Sequence, residues 1–350
     1  MFVPVVDVQQ NPLMPTTPTR ARRWVRSGKA TPFWKRGVFC VRLNVEPSDR
    51  STQFIAVGID PGSKREGFTV KSAAHTYINV QATAVDWVKD AVEVRRSMRR
   101  ARRFRKTPCR ANRRNRSIGG LPPSTRARWG WKLRIASWLQ KMYPITVFVV
   151  EDVCAKTKKY REAYKPLKQH AGAAQKFNAS FSPLEVGKWW FYSELRKLAA
   201  VETRQGWETK ELRDQHGLRK SSSKLAERFS AHCVDSWVLA NWYVGGHTKP
   251  DNTRLLVVVP LRFHRRQLHR LQPEAGGIRS RYGGTRSHGF KRGSLVKHPK
   301  FGLTYVGGFR NDRISLHAAD SGERITKAAK PEECRFLTYN TWRARLPRMP

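Results

Sequence analysis

The stretch from Arg95 to Arg116 limits what this chain can become more than any other feature. Twelve of its residues are basic and none is acidic: Arg95, Arg96, Arg99, Arg100, Arg102, Arg103, Arg105 and Lys106, then Arg110, Arg113, Arg114 and Arg116. No hydrophobic core takes in so many unpaired cations. Val88, Ala91 and Val92 lead into it, and the pattern predicts a helix from near Asp86 to just before Pro108. Basic groups on every face repel at i,i+4 spacing, so such a helix persists by bridging something strongly negative. A disordered basic arm, the alternative reading, would bind the same partner.

The rest of the chain carries the same bias. Over 350 residues, 69 Lys and Arg stand against 26 Asp and Glu, a net charge of +43. Nucleic acid is the polyanion that neutralises such a surface. An apolar fraction of 39% with 12 Trp excludes a disordered tail, and the length allows two or three domains. No apolar run is long enough for a membrane span, and Met1–Pro15 shows no secretory signal. Cys40, Cys109, Cys154, Cys233 and Cys334 are odd in number and contain no CxxC pair, so a reducing, cytoplasmic setting without zinc is expected.

The element pattern is α/β. Val3–Val8 and Val38–Val45 read as strands around a short helix capped by Thr17, with Pro18 at its first position and Gly28 after its end. On physics alone, Pro12-Leu-Met-Pro15 is a rigid turn. Phe54–Ile59 is a buried-type strand running into Asp60-Pro61-Gly62, and Phe68–Ser72 is a second strand. Residues 125–143 predict an amphipathic helix, followed by the apolar strand Ile145–Val150 and Glu151-Asp152. Ser182-Pro183-Leu184-Glu185 predicts a capping box opening a helix to about Ala200, and Ser221–Ser223 open another reaching Tyr243. Beyond Gly245, Leu255–Val259, Ser294–His298, Thr304–Gly308 and Arg313–His317 suggest a small β-barrel or sheet, and residues 251–350 hold 21 basic and 7 acidic residues.

Acids are scarce, so their placement is informative. Asp60 and Glu151 each end an apolar strand, where side chains emerge at the crevice of an α/β sheet. His232 and Asp235 share one face of a helix. Hard carboxylate oxygens suit Mg²⁺, and two such ions clamp the oxygens of a phosphodiester undergoing hydrolysis. The set Asp60, Glu151, His232 and Asp235 therefore points to a metal-dependent nuclease. The remaining histidines show no ligand spacing.

These residues resemble a split RuvC nuclease, an RNase H-like fold cut into three pieces. Val57-Gly-Ile-Asp-Pro-Gly62 is similar to its first motif, Val149-Val-Glu151 to its second and His232-Cys-Val-Asp235-Ser236 to its third. An Arg-rich bridge helix after the first motif resembles the transposon-encoded IscB family, relatives of type II CRISPR effectors. Pro12-Leu-Met-Pro15 is similar to that family's PLMP domain. Leu121-Pro-Pro-Ser124, the stretch Glu208 to Leu218, Arg265–His269, Tyr282–Gly289 and Phe336–Trp342 also match. The interval 152–231 lacks the HNH nuclease of IscB, which fits the HNH-lacking relatives called IsrB. TnpB proteins fit less well, since they end in a zinc ribbon.

The resemblance implies a layout of 1–52 PLMP domain, 53–85 first RuvC segment, 86–117 bridge helix, 118–200 second segment, 201–245 third segment and 246–350 C-terminal β-rich domain. It implies an RNA-guided DNA nickase, monomeric in a ribonucleoprotein, nucleoid-associated in a prokaryotic cytoplasm. A guide noncoding RNA (ωRNA) pairs with double-stranded target DNA beside a short flanking motif. Asp60, Glu151 and Asp235 would hold two Mg²⁺ (or Mn²⁺), Asp60 bridging them. His232 would orient or deprotonate water, touch the phosphate, or ligate metal. Guide RNA would lie on Arg95, Arg96, Arg99, Arg100, Arg102, Arg103, Arg105, Lys106, Arg113 and Arg114, and flanking DNA on Arg279, Arg281, Lys291 and Arg292. The alternatives are a catalytically silent transposon accessory protein and a guide-free junction resolvase.

Overall fold

Ile55–Asp60 (β5) is apolar on both sides of its pleat, and such a strand is stable only when both faces are covered. The computed structural model describes residues 2–104, 121–152, 183–261, 271–272, 277–278 and 286–347. It places β5 inside a seven-stranded mixed sheet. Arg65–Ser72 (β6) pairs antiparallel with β5, and Thr76–Thr83 (β7) antiparallel with β6. On the other side, Val147–Asp152 (β8) lies parallel to β5 and Ala200–Gln205 (β9) parallel to β8. Leu255–Pro260 (β10) joins β7 in parallel, and Trp342–Arg345 (β20) closes that edge antiparallel to β10, giving the order β20-β10-β7-β6-β5-β8-β9.

Six α-helices lie among the described residues: Pro18–Arg26 (α1), Trp87–Phe104 (α2), Pro123–Gln140 (α3), Pro183–Arg196 (α4), Gly206–Gln215 (α5) and Phe229–Val244 (α6). The protein is thus a mixed α/β fold. α3 covers one sheet face with Trp129, Trp131, Ile135, Trp138 and Leu139. Trp131 and Trp138 both meet the ring of Trp342 edge-on, at 5.4 and 5.3 Å between centroids, which ties the chain's last strand to the core. α6 covers the opposite face. It is buried continuously from Ala231 to Asn241, as expected of a helix with no polar stripe. Its approach is close because the sheet offers glycines. A Cβ at Gly58 would stand 1.7 Å from the Ser236 carbonyl oxygen, and one at Gly67 2.4 Å from that of His232. Those two missing side chains press the helix carrying His232 and Asp235 onto the strand end carrying Asp60.

The N-terminal unit is a four-stranded sheet, order β2-β1-β4-β3, from Val3–Val6 (β1), Pro12–Thr16 (β2), Ala30–Lys35 (β3) and Val38–Leu43 (β4). Pro12-Leu-Met-Pro15 is therefore a strand rather than a turn, and its prolines are tolerated because β2 is an edge. α1 is built as its punctuation predicts: Thr17 caps it, Pro18 begins it and Gly28 follows at φ 70°. The C-terminal region corrects the expected β-unit. β10 and β20 belong to the central sheet, while Ser294–His298 (β15), Gly302–Arg310 (β16), Arg313–Ala318 (β17), Arg324–Ala329 (β18) and Arg335–Tyr339 (β19) form a five-stranded sheet. Two short hairpins precede it, Leu271–Gln272 (β11) with Gly277–Ile278 (β12), and Arg286–Ser287 (β13) with Phe290–Lys291 (β14).

Two helix boundaries also differ from expectation. α4 ends at Arg196, and Ala200 instead begins β9, where pairing with buried β8 overrides helical continuation. Residues 221–223 do not open a helix; α6 starts at Phe229, and the loop before it is pinned by the Ser221 N–H donating to the Ser230 carbonyl at 2.8 Å.

Candidate metal centre

Register builds this site. Ile59 lies opposite Val150 in the parallel β5–β8 pair, so Asp60 and Glu151, the next residues, emerge side by side on the α6 face. Asp152, one residue on, points to the other face, where it takes hydrogen bonds from the Tyr192 hydroxyl and the Gln205 amide, each at 3.0 Å, and pairs with Lys188 at 2.7 Å. From above, α6 lowers Asp235 into the same place. One carboxylate oxygen each from Asp60, Glu151 and Asp235 lie within 4.8 Å of one another. Asp60 and Asp235 are buried, at 4% and 1% exposure. Three hard oxygen donors this close could hold a divalent cation.

His232 joins the cluster without being aimed into it. Its Nδ1 lies 2.9 Å from Asp60 Oδ2, and its Nε2 lies 2.9 Å from the Lys224 carbonyl oxygen. Both neighbours are acceptors, so in this arrangement neither ring nitrogen offers a lone pair to a water. The ring holds the Asp60 carboxylate in place.

Two cations that sequence reasoning missed complete the centre. Lys220 Nζ donates to Asp235 Oδ2 and reaches Asp60 Oδ2 at 3.5 Å, while Arg213 donates to Asp235 Oδ1. Nothing in a chain with 69 Lys and Arg distinguishes these two by composition. The signals available were their nearness to the His232–Asp235 pair along the chain and, for Arg213, its place in the stretch Glu208 to Leu218.

The electrostatics follow from crowding. Burial alone would raise Asp60, but the hydrogen bond from His232 and the charge of Lys220 outweigh it and hold the carboxyl below the usual range. At Glu151 the charge of Lys220 does not offset the opposing effects. Burial, then the negative charge of Asp60, pushes it up to about 8, so it carries a proton at neutral pH in the metal-free chain. A lowered Asp60 carboxyl beside a raised Glu151 carboxyl is the kind of perturbation that buried functional clusters show.

The other predicted residues distribute as follows. Arg95, Arg96, Arg99, Arg100 and Arg103 are exposed along α2, and Arg102 lies on the same helix. Arg105, Lys106, Arg113 and Arg114 lie outside the described residues, as do Arg279 and Arg281. Lys291 and Arg292 are exposed, and the Lys291 ammonium sits 5.2 Å above the Tyr339 ring. Cys40, Cys233 and Cys334 are buried free thiols, and no described helix is long and apolar enough to cross a membrane.

With an α/β fold and a buried three-carboxylate centre established, comparison with known proteins adds the following. Residues 3–168 match the family model described as RRXRR protein, a pattern that Arg99-Arg100-Ala101-Arg102-Arg103 spells out. No curated protein matches the chain. Among solved structures, T. thermophilus RuvC in complex with a Holliday junction substrate is similar over 55% of this chain and 98% of that one, at 10% identity and a TM-score of 0.24.

Proposed function

We propose that this chain is an RNA-guided nuclease of the RuvC type that nicks one strand of a DNA target. The observation that carries the reading is the meeting of Asp60, Glu151 and Asp235 at the ends of two adjacent parallel strands and one helix. The strand order β7-β6-β5-β8-β9, antiparallel through β5 and parallel after it, supports the RNase H-like core that the motifs imply. The exposed arginines of α2 support an RNA partner: guanidiniums are bidentate phosphate donors with fixed charge. The RRXRR match across that helix agrees with a shared role for it.

The residues present fit a hard divalent cation. The donor set is all carboxylate, and two side-chain cations are already drawn to it. Asp60, Glu151 and Asp235 would hold Mg²⁺ there. What the bound ions supply is polarisation of the scissile phosphodiester and an activated water. Asp60 is oriented for ligation by His232, and Glu151 must give up its proton to become a ligand. His232 can serve as a base only after its Nδ1 leaves Asp60 or its Nε2 leaves the Lys224 carbonyl. Otherwise it is a positioning residue. The phosphate backbone is steered to this cleft by the +43 charge, and sequence choice is delegated to base pairing.

The test is to purify the chain with and without the noncoding RNA encoded beside it, and to offer Mg²⁺ and supercoiled plasmid. Open-circular product that appears only when the guide matches the plasmid is the expected result. Nicking by RNA-free protein, regardless of plasmid sequence, would establish a guide-free resolvase instead. A matched complex that binds the target but does not cut in Mg²⁺ or Mn²⁺ would leave a silent binding protein.

A further inference from the structure

Lys220 stands on the irregular segment between α5 and α6, and its reach into the centre needs an explanation. The segment is anchored next to it by the Ser221–Ser230 backbone hydrogen bond. Its side chain is 29% exposed, whereas the Asp60 and Asp235 side chains it touches are 6% and 1% exposed. The ammonium therefore enters from the solvent side, between two carboxylates that are otherwise sealed. Arg213 takes the other oxygen of Asp235 from α5.

Compare the oxygen atoms in use. Asp60 Oδ2 receives both His232 Nδ1 and Lys220, and Asp235 is engaged at both oxygens by Lys220 and Arg213. A divalent cation held by these carboxylates would bring twice the charge of an ammonium into the same few ångströms. The ion and the ammonium repel each other there and so compete for the cluster. A long flexible side chain on a loop is the partner that can leave, whereas Arg213, on a helix and 15% exposed, is held more firmly.

We propose that the Lys220 ammonium is a tethered stand-in for the divalent cation: it neutralises Asp60 and Asp235 in the metal-free chain and must swing out before metal binds. This rests on the metal-centre reading above. It makes the centre a competitive one, stable without metal and weak for it until the lysine is drawn away. A phosphate backbone arriving at the rim supplies the anion to which the freed ammonium turns, so substrate and metal favour each other.

The experiment titrates Mn²⁺ into the full chain stripped of nucleic acid, by calorimetry and by electron paramagnetic resonance. Lys220→Gln is expected to bind Mn²⁺ at least tenfold more tightly than the wild type, with Lys220→Arg staying near the wild type. In the wild type, limited acylation read by mass spectrometry should label the Lys220 amine several-fold faster with Mn²⁺ than in chelator, which serves as the test even if Lys220→Gln does not fold. If the wild type binds Mn²⁺ in an Asp60-dependent way, while Lys220→Gln binds no more tightly and Lys220 labelling does not change, the lysine is a fixed part of the site and the inference falls alone. If neither chain binds Mn²⁺ more tightly than Asp60→Asn does, the metal centre itself falls.

Discussion

Acids stand on both faces of the central sheet, Glu66 on the α3 side and three on the α6 side. Gly67 faces α6, and its neighbour Glu66, by the alternation of the strand, faces α3. There Glu66 meets Lys132 at 2.7 Å, with side chains 0% and 5% exposed, one acid to one base. On the α6 face three acids crowd together, and one of the two basic side chains that reach them comes from a loop open to solvent. The first arrangement is matched and sealed, as structural pairs are. The second has more carboxylate than a structure needs and an exchangeable counter-ion, which is what a site that takes up a cation requires.

The sharpest way to break this contrast is to remove one acid from the α6 face. Asp60→Asn should lower nicking about a thousandfold or more, equivalent to about 4 kcal/mol of barrier. Its unfolding free energy should stay within about 1 kcal/mol of the wild type, because the amide oxygen still accepts from His232. Plasmid nicking and urea denaturation on the same preparation check both halves. A large stability loss would make the cluster structural.

The opposite result is expected behind the sheet. Lys132→Met should destabilise the chain by about 3–5 kcal/mol, since it leaves Glu66 buried without its cation. Burial already pushes the Glu66 carboxyl up, so part of that loss should be relieved at low pH, where Glu66 takes a proton instead. Nicking per folded molecule should not change.

A smaller effect separates the two faces by pH. Glu151 is raised from its ordinary 4.5 to about 8, first by burial and then by the charge of Asp60. Between those values the folded, metal-free chain holds a proton that the unfolded chain has released. Its stability therefore falls as pH rises from about 4.5 to 8, and is greatest below that window. Glu151→Gln should flatten this part of the profile, measured by denaturation in chelator at a series of pH values. An unchanged profile would place the titration elsewhere.

How far the sequence reveals this contrast depends on what kind of force is at work. β5 and β8 were legible because their apolar runs are long and end in acids; α1 was legible from Thr17, Pro18 and Gly28. β7 was not, because Thr76, Asn79 and Gln81 are polar residues buried by partners from far along the chain: Asp251, the Asn252 carbonyl and the Ala226 carbonyl. Of β9 only Ala200 falls within the predicted helix, and the rest carries no strand signal, since its pairing with β8 is set by tertiary context. The carboxylates could be chosen because acids are rare here, while Lys220 and Arg213 could not, because bases are common. Likewise, which face Glu66 serves follows from register, and register is invisible until pairing is known.

The smallest effect concerns α2, where the same abundance of cations is used in solution rather than in a pocket. Arg99, Arg100 and Arg103 are exposed, so on the proposed reading each would act through phosphate contacts that counterions can replace. Replacing any one with Ala should weaken guide-RNA binding only modestly and reduce the slope of log K against log[salt] by about one. Replacing all three should reduce it by about three, since separate contacts add. Nicking at saturating RNA should survive, because among the described residues the hydrogen-bond and ion-pair partners of Asp60 and Asp235 come from elsewhere in the chain. A single substitution that abolished binding at every salt concentration would show that the arginine makes a fixed, site-specific contact rather than one of many interchangeable ones. It would then behave like Lys132, buried in a matched pair, and not like Lys220.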